Sequence, residues 1–560
     1  MRTPRGLVLY FTWALLADYV CVSEIVEDTK YWMDLGRISI EEALIPKEIH
    51  GIAKNVILFI GDGMGMPTIT ASRIFKGQQA GHSGEEGYLF FEKFPHVGLT
   101  KTYNVDRQVP DSAGTATALF SGVKGNYYTV GFDSHAKFNV CNPEVEAKAK
   151  VPSLLDWAIS AGKSTGLVTT TRITHATPAA AYGHCVHRDW ECDSKIPEAE
   201  LKKGCKDLGR QLIEDEPGKN INIILGGGEQ VLRASINDTK SGVCSRKDGK
   251  DLVWDWMKTQ RELKRKYKFV KDKEQLLSAD NDSYILGLFA NGHMPYDKDR
   301  ELGDNGHPSL TEMVGKAIDV LEKNKNGYLL IVEGGRIDHA NHDNLAKIAL
   351  EEVVALDAAI QMAKRRVNLQ DTIMVVTADH SHSMSINGYP KRGNPIEGVG
   401  DVTPEGFAYQ TLSYINGPGY NYHRVLSVQE KENDTLKSIH TWRNLNITEN
   451  LLGRNEPHHA GFWMDAETHG GEDVPVYAIG PMAHLFHGVH EQTHVAFTIA
   501  YSACIGPYAK ECRSDISNRV VGSYSVPIYL PQHGVLAVFM GFMSFFTSKF
   551  YTYFHTMVKC

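Results

Sequence analysis

Residues 55–63 have the sequence NVILFIGDG, and this stretch decides the fold expected of the chain. Its apolar run, Val56 to Ile60, contains no polar residue, which predicts a strand buried on both faces, as in a parallel sheet covered by helices. The flanking glycines end the strand and place Asp62 at its carboxyl end. Because ligands of open α/β sheets bind outside the carboxyl ends of the strands, Asp62 is a candidate site residue.

Acidic residues and histidines lie beside further apolar runs. The runs are residues 329–332, 372–377 and 474–479, and the polar residues near them are Glu333, Asp338, His342, Asp379, His380 and His469. Asp338 and His342 are four residues apart, so they would share one face of a helical turn. We expect these acids and imidazoles to meet at one edge of the sheet, where parallel strands end.

A serine lies at a predicted helix start in residues 109–118, VPDSAGTATA. Asp111 can cap the first turn, and the position of Ser112 among free backbone N–H groups suits an anion. An unassisted hydroxyl is a poor nucleophile, so we expect metal ions bound by the acids and imidazoles to activate it. Mixed Asp and His donors without clustered cysteines favour zinc, whereas the all-oxygen set Asp62, Thr177 and Glu333 suits magnesium.

Taken together, these motifs resemble the animal alkaline phosphatase family, and they occur in that family's order. They are GDGMG at 61–65, DSAGTAT at 111–117, TRITHATP at 171–178, EGGRIDH at 333–339, TADHSH at 377–382 and THGGED at 468–473. The resemblance implies an α/β fold with a large, mostly parallel central sheet, helices on both faces and a small inserted crown-type domain. It also implies hydrolysis of phosphate monoesters at alkaline pH through a phosphoserine on Ser112, releasing inorganic phosphate and an alcohol.

The same resemblance implies two Zn²⁺ and one Mg²⁺ per subunit. The first zinc would be held by Asp338, His342 and His469, the second by Asp62, Asp379, His380 and the Ser112 oxygen, and magnesium by Asp62, Thr177 and Glu333. Arg188 matches the family's substrate-binding arginine, whose planar guanidinium suits two phosphate oxygens. His175 would bond to magnesium through a water, and His382 would orient a carboxylate that binds zinc.

One departure from the family concerns its further calcium site. Where the animal enzymes have two acids, this chain has Ala290 after Phe289 and His307 before Pro308. Because Ca²⁺ needs oxygen ligands, we expect calcium binding to be abolished or greatly weakened. Phosphoryl chemistry does not depend on this site.

Length and charge limit the other possibilities. The chain has 560 residues and a net charge of −8, with no basic surface pattern typical of nucleic-acid binding. The basic run at 264–268 is expected to be a solvated helix face. Apolar runs and glycine turns predict one large core over residues 49–384 and 466–515. Residues 385–465 are rich in Gly, Tyr, Asn and Pro and lack long apolar runs, which predicts the crown-like insertion.

The two ends predict secretion and membrane attachment. Residues 1–23 have the charged start and apolar middle of a signal peptide, and residues 24–48 resemble the family's arm that reaches across a homodimer. Residues 516–560 contain a polar spacer and an apolar run at 534–548. A transmembrane helix is the alternative, but the short run without a basic tail favours a removed GPI signal. The expected location is the extracellular face of the plasma membrane.

Nine cysteines and four glycosylation sequons fit an oxidising secretory compartment. The resemblance pairs Cys141 with Cys205 and Cys504 with Cys512. It leaves Cys185, Cys192 and Cys244 open, although a bridge between Cys185 and Cys192 would stiffen the segment that carries Arg188. The predicted glycosylation sites are Asn237, Asn281, Asn433 and Asn446.

The sequence leaves two alternatives to monoester hydrolysis. Phosphodiesterases and sulfatases share the fold, but their nucleophile is a threonine or a modified cysteine, whereas this chain has Ser112 and Arg188. The alternative from another class is a GPI-anchored docking or receptor protein with reduced or no catalysis. Every metal ligand implied by the resemblance is present, which favours the enzyme. Its substrates would be phosphomonoester small molecules or phosphoproteins.

Overall fold

The computed structural model describes residues 27–45, 47–236, 238, 244–432, 435–443, 445 and 453–510. The helices are α1 (Thr29–Ala43), α2 (Met66–Gln79), α3 (Ser112–Ser121), α4 (Pro143–Ala149), α5 (Leu154–Ser160), α6 (Ala176–Ala180), α7 (Glu198–Lys202), α8 (Leu208–Glu214), α9 (Glu229–Leu232), α10 (Leu252–Glu262), α11 (Lys273–Ser278), α12 (Leu310–Leu321), α13 (Arg336–His342), α14 (Ala346–Arg366), α15 (Gly419–His423) and α16 (His494–Ala503). The strands are β1 (Asn55–Gly61), β2 (His96–Lys101), β3 (Ser164–Arg172), β4 (Ile223–Gly227), β5 (Tyr267–Val270), β6 (Tyr284–Leu288), β7 (Tyr328–Gly334), β8 (Thr372–Ala378), β9 (Ser381–His382), β10 (Ser385–Ile386), β11 (Val399–Val402), β12 (Ala408–Gln410), β13 (Leu412–Gly417), β14 (Arg424–Glu432), β15 (Thr435–Trp442), β16 (His459–Trp463), β17 (His469–Gly470), β18 (Val474–Ile479) and β19 (Gly488–Glu491).

In the described part of the chain, ten strands form one large sheet in the order β19-β2-β18-β8-β1-β7-β3-β4-β6-β5. β1 lies between β7 and β8 and is parallel to both. β18 is antiparallel to its neighbours β8 and β2, and the other pairings are parallel. The expectation of a mostly parallel central sheet is therefore confirmed.

The uninterrupted apolar run of β1 is explained by burial on both faces. Val56, Leu58 and Ile60 pack in one core layer with residues of α3 and α16. The alternating residues Ile57 and Phe59 pack in a second layer with residues of α12 and α14. Because side chains alternate across a strand, helices cover both faces of the sheet.

Small sheets fill the region predicted as an insertion. β10, β13 and β16 form one of them, and β11 with β12 and β14 with β15 form two-stranded sheets. Leu412, Tyr414 and Ala460 pack against Phe75 of α2 and Leu350 of α14, which ties the region to the large core. All these strands lie within residues 385–465, whose status as a separate crown-like domain stays a prediction.

The helical interpretation of the basic run at 264–268 is wrong. α10 ends at Glu262, and Lys264 takes a left-handed backbone conformation with φ of 54°. The run then enters β5, at the edge of the sheet, where exposed lysines are common because they oppose pairing with another chain.

The predicted signal peptide, residues 1–23, and the GPI-signal region, residues 516–560, lie outside the described residues. Of the predicted arm, α1 is described, and none of its residues is buried. Within the described part of the chain, no helix combines the length and the hydrophobicity that crossing a membrane requires.

Candidate active site

Ser112 is the first residue of α3, as its sequence predicts. The Asp111 carboxylate caps the helix by accepting from the backbone N–H groups of Ala113 and Gly114, at 3.1 and 3.4 Å. The cap is therefore confirmed, but these two amides are not available to an anion. Ser112 itself is completely buried, so its hydroxyl faces the protein groups around it.

The group around Ser112 comes from the ends of two adjacent strands. β1 leads into Asp62 and β8 leads into Asp379 and His380, and the last residues of the two strands pair in register. His380 Nε2 lies 3.0 Å from Ser112 Oγ and 3.3 Å from both Asp62 Oδ1 and Asp379 Oδ2. The four side chains expected at the second zinc are therefore brought together.

A neighbouring group is centred on Asp338. Asp338 and His342 lie one turn apart on α13, and Asp338 Oδ1 is 3.4 Å from His342 Nε2. His469, from β17, places its Nε2 3.3 Å from the same carboxylate oxygen and 3.1 Å from His342 Nε2. His380 Nε2 is 4.0 Å from Asp338 Oδ1, so the two groups are adjacent.

The three histidines share one hydrogen-bonding arrangement, in which Nδ1 faces a backbone carbonyl. The carbonyls of Glu467, Ser381 and Pro110 serve His342, His380 and His469, respectively. A carbonyl only accepts, so Nδ1 carries the proton and the neutral ring keeps its lone pair on Nε2. His342 Nε2 and His469 Nε2 both face Asp338 Oδ1 and are 3.1 Å apart, close enough for one cation to bind both nitrogens. This donor chemistry fits a metal ion.

A third group contains oxygen donors alone. The Thr177 hydroxyl, on α6, donates to Asp62 Oδ2 at 3.4 Å. Glu333 Oε2 accepts from Thr171 at 3.2 Å and from Thr169. Glu333 Oε1 is buried and has no hydrogen-bond partner in the described part of the chain. A buried carboxylate oxygen without a donor fits a hard cation such as Mg²⁺.

The four carboxylates of the site are almost completely buried. Burial, together with the charges of Asp379 and Asp338, raises the pKa of Asp62 well above its usual value. Burial raises the pKa of Glu333 to about 7. Such a concentration of buried negative charge is stable only when cations compensate it. The buried negative charge therefore indicates divalent cations, as the donor atoms of the site also do.

His382 differs from the other histidines because both of its ring nitrogens face carboxylates. Nε2 lies 2.9 Å from Asp338 Oδ1 and Nδ1 lies 2.5 Å from Glu467 Oε2. Burial lowers the pKa of His382, but the Glu467 and Asp338 carboxylates outweigh this and raise it to about 10. The charged ring donates from both nitrogens and orients Asp338, in keeping with the expected supporting role.

Arg188 lies beside the cap of the serine helix. Its Nη1 donates to Asp111 Oδ2 at 3.1 Å, and its Nη2 is 3.2 Å from His175 Nε2. Its guanidinium carbon is 5.4 Å from the centre of the Tyr128 ring. Its Nε–H makes no hydrogen bond to a described residue. Asp111 therefore links the arginine to the start of α3.

His175 lies between Arg188 and two other histidines. Its ring centre is 5.2 Å from that of His293 and 5.3 Å from that of His339. Its Nδ1 is buried and has no partner in the described residues. Its expected contact to magnesium through water stays a prediction. No sequence motif pointed to His293.

Two further residues, which were not predicted from the sequence, support the site. Thr115 Oγ1 donates to Asp379 Oδ2 at 3.0 Å, and Glu467 holds His382. Both had a signal in the sequence. Thr115 is three residues after Ser112 and so shares its face of the helix, whereas Glu467 lies two residues before His469 in the same motif.

Ala290 and His307, where the family's calcium acids are absent, line one pocket of about 600 Å³. Lys271 lines the same pocket, and its Nζ pairs with a Glu229 carboxylate oxygen at 2.9 Å. The positive charge of Lys271 repels a cation, and two carboxylates of the family's calcium site are absent. Weak or no calcium binding is therefore expected, and it stays a prediction.

The cysteines pair in part as expected. Cys141 and Cys205 lie at disulfide distance, with their Cα atoms 6.4 Å apart. Cys192 pairs with Cys244, with a Cα separation of 6.3 Å, and Cys185 is buried as a free thiol. The bridge considered between Cys185 and Cys192 is therefore wrong. Cys504 is disulfide-bonded, and its expected partner, Cys512, lies outside the described residues.

Among the predicted glycosylation sites, Asn281 lies in the described part of the chain. Its Oδ1 accepts from Lys316 Nζ at 2.8 Å, and the residue is partly buried. Asn237, Asn433 and Asn446 lie outside the described residues. Glycosylation at all four positions stays a prediction.

Comparisons with known proteins identify the family of the chain. The profile of the alkaline phosphatase family matches residues 53–505. The alkaline phosphatase of Gadus morhua is 44% identical over 499 residues, which cover 86% of this chain and 98% of that protein. The membrane-bound alkaline phosphatase of Bombyx mori is 37% identical, over 87% of each chain. The crystal structure of Thermus thermophilus alkaline phosphatase has a TM-score of 0.56 at 22% identity, covering 81% of this chain and 92% of the other.

The structural similarity to the Thermus protein concerns the fold. The family profile and the animal relatives cover most of the chain at much higher identity. The conclusion from sequence, fold and relatives is the same: this chain belongs to the alkaline phosphatase family of enzymes.

Proposed function

We propose that the chain hydrolyses phosphomonoesters at alkaline pH through a phosphoserine on Ser112. The observation that carries the proposal is the buried Ser112 Oγ, which lies 3.0 Å from His380 Nε2 and 3.3 Å from Asp62 Oδ1. Ser112 Oγ loses its proton and attacks phosphorus, the bond between phosphorus and the ester oxygen breaks, and the ester oxygen takes up a proton and leaves as the alcohol. Water then attacks the phosphorus of the phosphoserine, the bond between phosphorus and Ser112 Oγ breaks, and a proton released by the water restores the serine hydroxyl as inorganic phosphate leaves.

Metal ions complete this proposal. Asp338, His342 and His469 would hold one Zn²⁺, Asp62, Asp379, His380 and Ser112 a second, and Asp62, Thr177 and Glu333 one Mg²⁺. Bound zinc would lower the pKa of the serine hydroxyl and neutralise charge on the oxygens of the transferring group. Supporting evidence is the pair of Nε2 atoms, of His342 and His469, that face Asp338 Oδ1 and the buried Glu333 oxygen without a donor.

Arg188 would bind the phosphate while Asp111 holds the arginine in place. The Asp111 carboxylate also accepts from the Asn104 side chain at 3.0 Å and from the Tyr128 backbone at 2.9 Å. A carboxylate fixed by so many donors is a rigid support for a guanidinium. The remaining N–H groups of Arg188 can then bind two non-bridging phosphate oxygens, which orients phosphorus toward Ser112.

The catalytic step can be tested with two serines of the same helix. We expect Ser112→Ala to lose nearly all activity toward 4-nitrophenyl phosphate while the melting temperature stays close to wild type, because alanine is favoured in a helix. Ser121→Ala is the matched control, since the Ser121 hydroxyl bonds only to nearby backbone, donating to Thr117 O at 2.6 Å and accepting from the Val123 N–H at 3.1 Å. Substantial activity in Ser112→Ala would contradict the proposed nucleophile.

We further propose that the enzyme is a homodimer held on the extracellular face of the plasma membrane by a GPI anchor, after passage through the secretory pathway. A relative described as membrane-bound supports the attachment. The exposed apolar side chains of α1, including Trp32, Met33 and Ile40, support an arm that a second copy of the chain covers.

Anchoring can be tested on cells that express the full chain. Phosphatidylinositol-specific phospholipase C should release active enzyme, because a mature GPI protein keeps no peptide span in the membrane. Retention in the membrane, with residues 549–560 detected by mass spectrometry, would establish a transmembrane anchor instead.

A further inference from the structure

A patch of histidines lies at the edge of the large sheet opposite to the active site. Asp379 follows the end of β8, whereas Ile479, at the end of β18, pairs with Met374 near the start of β8. The segment after β18 therefore lies at the amino ends of the parallel strands. There Ile49 forms a bridge with Pro481, and its carbonyl accepts from the Met482 N–H at 2.8 Å.

We call this set of side chains the junction patch. It consists of Glu48, His50, His96, His484 and His487. Glu48 and His50 come from the short segment between α1 and β1, His96 begins β2, and the other two histidines belong to the turn after β18. The patch thus brings together side chains from three parts of the chain.

Three of these residues have the spacing of metal ligands. Glu48 Oε2 is 3.1 Å from His50 Nε2, and the ring centres of His50 and His484 are 5.1 Å apart. One donor atom from each of Glu48, His50 and His484 lies within 4.8 Å of the other two. Zinc binds nitrogen and oxygen at about 2.0–2.2 Å, so the donors of one ion are roughly 3–4 Å apart. His50 and Glu48 are 64% and 54% exposed and can rotate to close the difference.

The patch also contains imidazole nitrogens without partners. His484 Nδ1 and His96 Nε2 are buried and make no hydrogen bond in the described part of the chain. The other nitrogen of His96, Nδ1, is 3.1 Å from His487 Nε2. Polar atoms left in this state are uncommon in proteins and indicate a missing ligand or a water.

We propose that Glu48, His50 and His484 bind one Zn²⁺ outside the catalytic centre. Two imidazoles and a carboxylate are a ligand set that zinc takes in three-ligand sites, with a fourth position open to water. Two of the ligands belong to the segment that joins α1 to β1, and the third belongs to the turn after β18. The ion would therefore fasten the base of the N-terminal arm to the sheet.

The test is a zinc titration of the fully metal-loaded enzyme. We expect wild type to bind one more zinc per chain than His50→Ala, measured by calorimetry and by metal analysis after buffer exchange. His135→Ala is the matched control, because exposed His135 lies 3.0 Å from Asp133 much as His50 lies beside Glu48. The control should retain the additional zinc.

A second readout distinguishes a site from surface adsorption. Added zinc should raise the melting temperature of wild type and His135→Ala, but not that of His50→Ala or Glu48→Gln. Hydrolytic activity should be the same in all four proteins, since none of these residues lies in the catalytic centre. Equal zinc binding by wild type and His50→Ala, or no additional zinc in wild type, would overturn the proposal.

Discussion

Arg188 and Arg246 are both largely buried, and each forms an ion pair with an aspartate. Arg246 donates to both oxygens of Asp207, at 2.9 and 3.2 Å, to both oxygens of Asp248, at 2.5 and 3.1 Å, and to the Val231 carbonyl. Every donor of that guanidinium therefore has a partner within the protein.

Arg188 is different because it keeps donors available. One terminal nitrogen binds Asp111 and the other faces His175, while its Nε–H has no partner among the described residues. Burial and ion pairing therefore do not distinguish Arg246, a structural arginine, from Arg188, a candidate substrate-binding arginine. The difference lies in the hydrogen-bond donors of Arg188 that the protein leaves without a partner. A similar difference separates two histidines: both ring nitrogens of His382 contact carboxylates, whereas His469 turns its Nε2 toward the expected metal position.

The largest expected effect is that of removing the metals. The donor atoms of the active site face one another, whereas those of Arg246 already have partners, so chelation should affect the active site and leave the surroundings of Arg246 unchanged. We expect complete loss of activity and a lower melting temperature, because buried carboxylates then repel one another. Added Zn²⁺ and Mg²⁺ should restore both. Unchanged activity in protein shown by metal analysis to lack zinc would contradict this account.

Arg246→Ala should damage stability and leave the chemistry intact. Asp207 is almost completely buried and would lose its charged partner, which typically costs about 3–5 kcal/mol. Denaturant unfolding measures this loss, and kcat/KM of the folded fraction should equal that of wild type. A large fall in kcat/KM at full folding would place Arg246 in the active site instead.

Arg188→Ala should show the reverse pattern. Losing a preorganised donor to a developing phosphate charge typically costs roughly 100-fold in rate. Stability should fall less than in Arg246→Ala, because Asp111 keeps the hydrogen bonds from Ala113, Gly114, Asn104 and Tyr128. Steady-state kinetics and denaturant unfolding on the same samples test both parts. Equal destabilisation by Arg188→Ala and Arg246→Ala would contradict the distinction between a substrate-binding and a structural arginine.

The histidines give the smallest contrast. His382→Ala removes a ring whose two nitrogens already bind carboxylates. Loss of such a supporting residue typically lowers metal affinity or activity by about 10–100-fold. His469→Ala removes a lone pair offered to the metal, so its zinc content should fall further. Zinc analysis after identical dialysis compares the two variants. Equal zinc content in both would contradict the assignment of their roles.

Much of the sheet could be predicted because its signals are local. The run at 474–479 coincides with β18, and the run at 372–377 lies within β8. The helix at Ser112 also followed from its own capping residue. Uninterrupted apolar runs mark strands buried on both faces, and this depends on neighbouring residues in the sequence rather than on distant ones.

What could not be predicted depends on distant contacts. The antiparallel direction of β18 and the pairing of Cys192 with Cys244 are set by how segments meet in space. The same is true of Glu467, whose carboxylate contacts His382, 85 residues away in the sequence. The helix predicted at 264–268 was wrong for a local reason. Lysine and aromatic residues alternate over residues 266–269, and this pattern fits an edge strand as well as a helix end.

The most direct test of the central claim is to trap the covalent intermediate. Incubating the metal-loaded enzyme with labelled phosphate at acidic pH, quenching it and sequencing the labelled peptide by mass spectrometry reports which residue carries phosphate. This account predicts stoichiometric label on Ser112, retained in Ser121→Ala and absent in Ser112→Ala. Label on another residue, or no label in an enzyme that hydrolyses phosphomonoesters, would contradict it.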